Sequence, residues 1–362
     1  MHIQKEFPGE IFSGGANLEN NIGNTLYLQR EGSYVHMQND TICVEQDSKI
    51  YFRMPLHNLD SVVVLGNVLV SQPLLSRLVE LNIDVSFHHI NGGFRYRVTG
   101  PLNGNILLRL AQFEAYNDKS KATEITKRIL ASKIRNSRYV LSRGSRDVPD
   151  DSISTELKNA SEALGSMLGT LETMTDIDSM RGLEGSAASV YFKVFDYLIS
   201  SRCKDFSFNT RSRRPPRDRV NALLSFAYTI ATSDCISACN SVGLDYQLGF
   251  LHVPRPGRPS LALDFVEEIR SVFADRLVLS LINLRQLSAE HFDEREIGGS
   301  VLLNEEGRKV FLRAYQSRKY DEITHPLFDK PISFGLVPHI QARLMARHLR
   351  SEVPFYEPFI MK

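Results

Sequence analysis

The chain has 362 residues, more than a typical single domain, so two domains are the expectation. With 42% hydrophobic and 23% charged residues it has the composition of a globular protein with a sizeable core, which excludes a disordered chain. Lys and Arg number 43 against 42 Asp and Glu, so any nucleic-acid face must come from local clustering and not from overall charge.

Residues 1–23 are polar and glycine-containing and are read as an extension of uncertain role. From Asn24 to about Gly100 the apolar pattern has period two. Leu26 with Leu28, Tyr34 with Val35, Ile42 with Val44 and Ile50 with Phe52 form short runs. The turn clusters Arg30-Glu31-Gly32, Gln38-Asn39-Asp40 and Gln46-Asp47-Ser48 separate them. Val62 to Leu69 reads as a more buried strand, Pro73 to Leu81 as a short helix and Val85 to Phe87 as a strand. Asn91-Gly92-Gly93 then makes a hairpin-like turn before Phe94 to Val98. After Pro101 the spacing turns helical nearly to the end, with helices expected over about 105–117, 120–142, 153–174, 180–202, 218–241, 260–285, 303–317 and 332–349. The expected fold is α+β: a small N-terminal β-rich domain (24–100), a larger all-α domain (101–352) and a tail (353–362). Cys43, Cys203, Cys235 and Cys239 are too few and too irregular for a disulfide framework, and Cys235 with Cys239 suits two small buried thiols one turn apart. No apolar run approaches a membrane span and no signal-peptide core opens the chain, so a cytoplasmic protein with no membrane association is the plain reading.

Glu184 stands in Arg181-Gly182-Leu183-Glu184-Gly185-Ser186-Ala187-Ala188. On a helix it lines up with Ala188, Tyr191, Phe195 and Leu198, while Ser186, Ser189, Lys193 and Ser200 lie opposite. A carboxylate on an apolar stripe requires a cation, a metal or a strong hydrogen-bond partner. An interior salt bridge and a functional site serve that need equally. His252 follows the apolar run Leu248-Gly249-Phe250-Leu251, and by itself reads as a satisfied structural histidine. The loop Val253-Pro254-Arg255-Pro256-Gly257-Arg258 leads to a helix that Ser260 is placed to cap. On that helix Asp264, Glu267 and Glu268 share one face, and Phe265, Ile269, Val272 and Phe273 the other. In isolation this is a solvated acidic face; the alternative is a polar cleft beside His252, suited to Mn²⁺ or Mg²⁺.

Basic residues cluster twice. Residues 119–146 hold nine Lys or Arg (Lys119, Lys121, Lys127, Arg128, Lys133, Arg135, Arg138, Arg143, Arg146) against the single acid Glu124, as fitting for a solvated surface as for phosphate contact. Arg211, Arg213, Arg214, Arg217 and Arg219 surround Pro215-Pro216 and point modestly toward an anionic partner.

Together these segments resemble the CRISPR-associated integrase family, the universal spacer-acquisition subunit (Cas one). The residues that carry the resemblance are Asn24-Thr25-Leu26-Tyr27, Arg181-Gly182-Leu183-Glu184-Gly185, and Arg213-Arg214-Pro215-Pro216 with Val220-Asn221-Ala222-Leu223-Leu224-Ser225-Phe226. Leu251-His252 followed by Arg258-Pro259-Ser260-Leu261-Ala262-Leu263-Asp264-Phe265-Val266-Glu267-Glu268 completes the set. The ending from His348-Leu349-Arg350 through Pro358-Phe359 resembles one branch of that family. The resemblance implies a metal-dependent DNA integrase and endonuclease that inserts short foreign DNA fragments (spacers) into a CRISPR array. It implies metal ligands Glu184, His252 and Glu267 for Mg²⁺ or Mn²⁺, with Asp264 as a supporting acid. Arg181, Arg211, Arg213, Arg214, Arg217, Arg255 and Arg258 become the candidate DNA contacts.

The partners implied are double-stranded DNA with free 3′ ends, leader-repeat DNA, a second copy of the chain and a small ferredoxin-like protein (Cas two). A Cas-four-type nuclease joins them as an end-trimming partner. The β-rich domain would carry dimerisation and partner contacts, and the helical domain the catalytic, metal- and DNA-binding surfaces. Two other functions use the same residues: a structure-selective nuclease for branched repair intermediates, and a non-catalytic scaffold for DNA ends.

Overall fold

The computed structural model describes residues 25–90, 92–100, 106–295, 299–328 and 330–362. The extension 1–23, Asn24, Asn91 of the expected turn and the junction 101–105 lie outside the described residues. The β-rich half holds β1 (Thr25–Leu28), β2 (Tyr34–Gln38), β3 (Thr41–Gln46), β4 (Lys49–Pro55), β5 (Ser61–Leu65), β6 (Leu69–Val70), α1 (Gln72–Glu80), β7 (Asp84–His88) and β8 (Phe94–Val98). Two of the expected turns close two-residue hairpins. Asn39 and Asp40 lie at φ +50° and +52°, and Asp47 and Ser48 at +51° and +60°. That left-handed pair matches the twist of the flanking strands. The run Val62–Leu69, expected as one strand, breaks after Leu65: Gly66 takes φ +81° and the chain enters a second sheet as β6. One sheet runs β1-β5-β7-β8 and the other β4-β3-β2-β6.

Strand alternation joins this half to the rest of the molecule. Val62, Val64, Val85 and Phe87 face a small core shared with Val35, Ile42, Val44 and Leu74. Val63 and Leu65 face the other way, into the large helical core. Ser86 of β7 reaches Ser233 Oγ at 3.3 Å. Gly92 lies so close to Phe226 that a Cβ there would come within 2.6 Å of the ring.

The larger half is built on α2 (Ile106–Asn117), α3 (Lys119–Asp147), α4 (Asp151–Thr173), α5 (Ile177–Lys193), α6 (Arg219–Val242), α7 (Ser260–Ile269), α8 (Arg276–Asn283), α9 (Glu305–Lys319) and α10 (Val337–Leu349). Asp118, Asp150, Asp176 and Asp218 start α3 to α6 by accepting first-turn N–H groups. Ser260 does not cap α7: its hydroxyl donates to Val253 O at 3.2 Å. The helix expected over 180–202 ends at Lys193, and a short 3₁₀ turn at Phe195–Leu198 follows. The helix expected over 260–285 is interrupted by a π-helical segment, Arg270–Asp275. This half is mostly and not wholly helical, because two short hairpins interrupt it. They pair β9 (Phe292–Arg295) with β10 (Ser300–Leu303), and β11 (Glu322–His325) with β12 (Lys330–Ser333).

By length and composition α6 is apolar enough to cross a membrane, which corrects the reading that no run approaches that length. Two thirds of its apolar stretch is buried inside the protein, and it packs on α7 and α10. The four cysteines are buried free thiols. Residues 353–362, expected as a tail, return into the helical core. Tyr356 and Phe359 are fully buried, the Phe359 carbonyl accepts from Ser132 Oγ and Asn136 Nδ2, and Met361 N–H donates to Asn136 Oδ1 at 2.8 Å.

Candidate metal centre and nucleic-acid interface

Helix α7 is wrapped by α3, α6 and α10, and its carboxylates are as buried as its apolar residues. The solvated acidic face suggested by spacing is therefore absent, and Asp264, Glu267 and Glu268 turn in different directions. Asp264, fully buried, accepts the N–H groups of Phe250 (2.7 Å), Leu251 (3.2 Å) and His252 (3.0 Å). The loop can lie this close because residue 249 is glycine: a Cβ would stand 2.6 Å from the Ser260 backbone and 2.8 Å from Asp264 Oδ2. Asp264 Oδ1 also lies 2.7 Å from His252 Nδ1. A carboxylate on Nδ1 favours the tautomer that leaves Nε2 with its lone pair, the second-shell arrangement common behind metal-bound imidazoles. His252 Nε2 points toward Glu267, 4.0 Å from Oε1.

Glu267 is the most heavily compensated carboxylate of the cluster. Lys133 Nζ lies 2.8 Å from Oε2, and Arg270 Nη1 reaches both oxygens, at 2.9 and 3.2 Å. Burial alone would raise its pKa, but Arg270, Lys133 and His252 outweigh it and hold the group well below the usual carboxylate range. Glu184, on α5, is partly exposed and pairs with the same Lys133 ammonium. The cation demanded by its place on an apolar stripe is thus a lysine of α3. Glu184, His252 and Glu267 come from α5, a loop and α7: Lys133 bridges the two glutamates, and His252 Nε2 faces Glu267.

Several participants carried no signal that sequence reading caught. Lys133 was one of nine basic residues with nothing to separate it from its neighbours. Arg270 opens the π-helical segment; an inserted residue of this kind is frequent at functional sites. Its guanidinium stacks on Tyr228, 4.3 Å from the ring centroid, and Tyr228 and Tyr191 donate to Asp275 at the far end of the segment. The i, i+3 spacing of Glu267 and Arg270 was the one available clue. Glu268 faces away from the cluster and accepts from Tyr356 Oη, Phe359 N (2.8 Å) and Gln341 Nε2 (2.9 Å). Burial lifts it to about 8 despite these donors.

The candidate DNA contacts divide. Arg213, Arg214, Arg217 and Arg255 are exposed, and Arg258 is half-buried. The Arg258 pKa is lowered by burial and then by the like charge of Arg255, opposed by Asp264, with smaller lowering from Arg181 and Arg213. Arg181 donates to Leu251 O (2.7 Å) and Phe250 O (3.3 Å) and pairs with Asp178, which makes it a clamp on that loop. Arg211 is turned inward, bonded to Asn221 Oδ1 (2.7 Å) and Ser225 Oγ (3.0 Å) beside Tyr228. The 119–146 cluster is not one patch. Lys133 is buried in the carboxylate cluster, Arg138 donates to Ser161 O and Arg128 pairs with Glu124 and Glu357.

Among the described residues no three His, Cys, Asp or Glu side chains are packed tightly enough to hold a metal ion by themselves. Glu184 and Glu267 instead share the Lys133 ammonium. The donor set, one oriented imidazole and two carboxylates, still suits a hard or borderline divalent ion such as Mg²⁺ or Mn²⁺.

Residues 26–317 match the protein family described as CRISPR associated protein Cas1. A Moorella thermoacetica protein named CRISPR-associated endonuclease Cas1 1 is 43% identical over 339 residues, 94% of this chain and 98% of that one. A solved CAS1 protein of Thermotoga maritima superposes with a TM-score of 0.75 at 26% identity, covering 90% of this chain and 97% of that one. A chain solved in a partial Cas6-RT-Cas1--Cas2 complex superposes with a TM-score of 0.60 at 25% identity, over 91% and 96% of the two chains.

Proposed function

The chain belongs to the CRISPR-associated Cas1 family, and from that premise we propose that it is a metal-dependent DNA integrase and endonuclease that inserts short DNA fragments at the repeat boundary of a CRISPR array. The observation that supports this most is the gathering of Glu184, Glu267 and His252, the glutamates bridged by Lys133 and the imidazole facing Glu267.

Joining is a transesterification. A 3′-hydroxyl oxygen of the incoming DNA bonds to phosphorus while the bond from that phosphorus to the target strand's own 3′-oxygen breaks. The departing oxygen takes up a proton, the hydroxyl gives one up, and no protein nucleophile is required. Glu184, His252 and Glu267 would hold Mg²⁺ or Mn²⁺, which when bound polarises the phosphoryl oxygen as a Lewis acid. Asp264 keeps the His252 ring turned so that Nε2 faces the carboxylates. Arg270 fixes both oxygens of Glu267. Arg213, Arg255 and Arg258 offset phosphate charge, while Arg181 holds the loop that carries His252. Water in place of the 3′-hydroxyl gives strand cleavage from the same residues.

The partners proposed are a second copy of the chain, contacted through the β-rich half, and a small Cas two dimer bridging two such pairs. The neighbour solved in a partial Cas6-RT-Cas1--Cas2 complex supports the latter. A Cas-four-type nuclease would trim the incoming ends.

The test is joining of a labelled duplex with free 3′ ends to a supercoiled plasmid carrying leader and repeat, with Mn²⁺ and the small partner. Label at the repeat boundary, lost with Glu184→Gln while melting is kept, is the expected result. Cleavage indifferent to the repeat would favour the repair nuclease, and tight DNA binding without reaction the scaffold.

A further inference from the structure

Among the described residues Lys133 is the one cation that touches both glutamates, and its side chain is almost fully buried. It also lines a cavity of about 20 Å³ together with Ser137, Tyr191, Glu267, Arg270 and Asp275. That exceeds the roughly 10–15 Å³ that one water needs, and an ammonium head is about as large as a water molecule. Asp275, at the cavity wall, accepts from two tyrosines and is fully buried. The Lys133 ammonium therefore has two carboxylate surroundings within its own neighbourhood: the glutamate pair it now bridges and the cavity whose wall carries Asp275 beside Arg270.

We propose that Lys133 is a two-position cation: it bridges Glu184 and Glu267 until a divalent ion takes them, and then withdraws into the cavity beside Asp275. This rests on the metal-centre reading above and adds a competitor to it. While the lysine bridges the pair, Glu184 and Glu267 share its ammonium and Glu267 also holds Arg270, so the fold survives without the ion. A divalent ion must displace that ammonium, so its affinity for the free protein is set below what two glutamates and an imidazole would otherwise give.

The experiment is calorimetric titration of the full chain with Mn²⁺ alone, together with the melting temperature before and after Mn²⁺. Lys133→Met is expected to bind Mn²⁺ at least ten-fold more tightly than the parent. It should melt at a lower temperature without the ion and gain more from it. Asp275→Asn, which removes the charge and keeps a carbonyl acceptor for one of the two tyrosines, is expected to weaken Mn²⁺ in the parent and to change nothing in the Lys133→Met background. Equal or weaker Mn²⁺ binding by folded Lys133→Met overturns the proposal and leaves the lysine as a simple support for the glutamates. Equal weakening by Asp275→Asn in both backgrounds overturns the second position. Abolition of binding by Glu184→Gln with no effect of Lys133→Met removes the lysine proposal alone. No Mn²⁺ binding by any variant removes the metal centre as well.

Discussion

Asp264 accepts three backbone N–H groups and one ring nitrogen with two oxygens, so the path of the His252 loop and the orientation of its imidazole depend on one side chain. Asp264→Asn keeps the size and part of the accepting capacity but loses the charge that holds Nδ1. Outer-shell changes of this kind cost about 10–100-fold in metal affinity or activity. We expect Mn²⁺ affinity and joining rate to fall together within that range, and the melting temperature to fall as well, because the amide NH2 leaves at least one buried backbone N–H without its acceptor; an unaltered affinity would mean the ring is oriented by other contacts. The roles of Asp264 and Glu267 were half legible in the sequence. Their spacing placed them on one helix with His252 near, but spacing assumes that one face of a helix meets water. Helix α7 meets none, so the direction each carboxylate takes is set by neighbours remote in sequence. Lys133 was illegible for the same reason, since its partners lie on α5 and α7.

At the scale of elements, periodicity located the long helices well because each has a defined start and a long apolar repeat. It failed where an element is short or irregular. Phe292-Asp293-Glu294-Arg295 and Lys330-Pro331-Ile332-Ser333 carry no alternating apolar pattern, and only pairing with a neighbouring strand makes them β. The π-helical segment hides inside a continuous apolar spacing, since one extra residue in a turn leaves no mark in composition. The segment 353–362 is rich in apolar residues, but its two prolines and lack of helical or strand period announce no element, and Phe359 sits against Phe334 and His325 in the core. Phe359→Ala is expected to destabilise the protein by about 3–5 kcal/mol, measured by denaturant unfolding. It should also slow joining, because the Phe359 N–H and Tyr356 hydroxyl together fix the end of α7 next to Glu267. A loss below about 1 kcal/mol would show that the segment only rests on the core.

Taken whole, the molecule has two halves with a buried polar seam between them. His88 joins Ser86 (3.1 Å) to the Gly92 carbonyl (3.1 Å), and Arg97 pairs with Asp84 (3.2 Å) and reaches Ser233 on α6. Burial depresses His88 from 6.5 to about 4. Between these values the unfolded chain binds a proton that the folded one refuses, so stability present above pH 6.5 is lost as pH falls toward 4. The slope from one such histidine is about 1.4 kcal/mol per pH unit. His88→Gln should flatten the fall of melting temperature across that window without abolishing it, since His325 and His339 are depressed to about 4 as well. An unchanged slope would place His88 in contact with solvent. The return of residues 356–361 into the core also sets an order in time. A nascent chain that has exposed everything through Leu349 already holds Glu184, His252 and Glu267, but Glu268 and Asn136 still lack the partners that Tyr356, Phe359 and Met361 supply. The carboxylates can be gathered early in synthesis and locked only late, so a chain that stops short of Tyr356 has its exposed arginines in place and the end of α7 beside Glu267 unfinished.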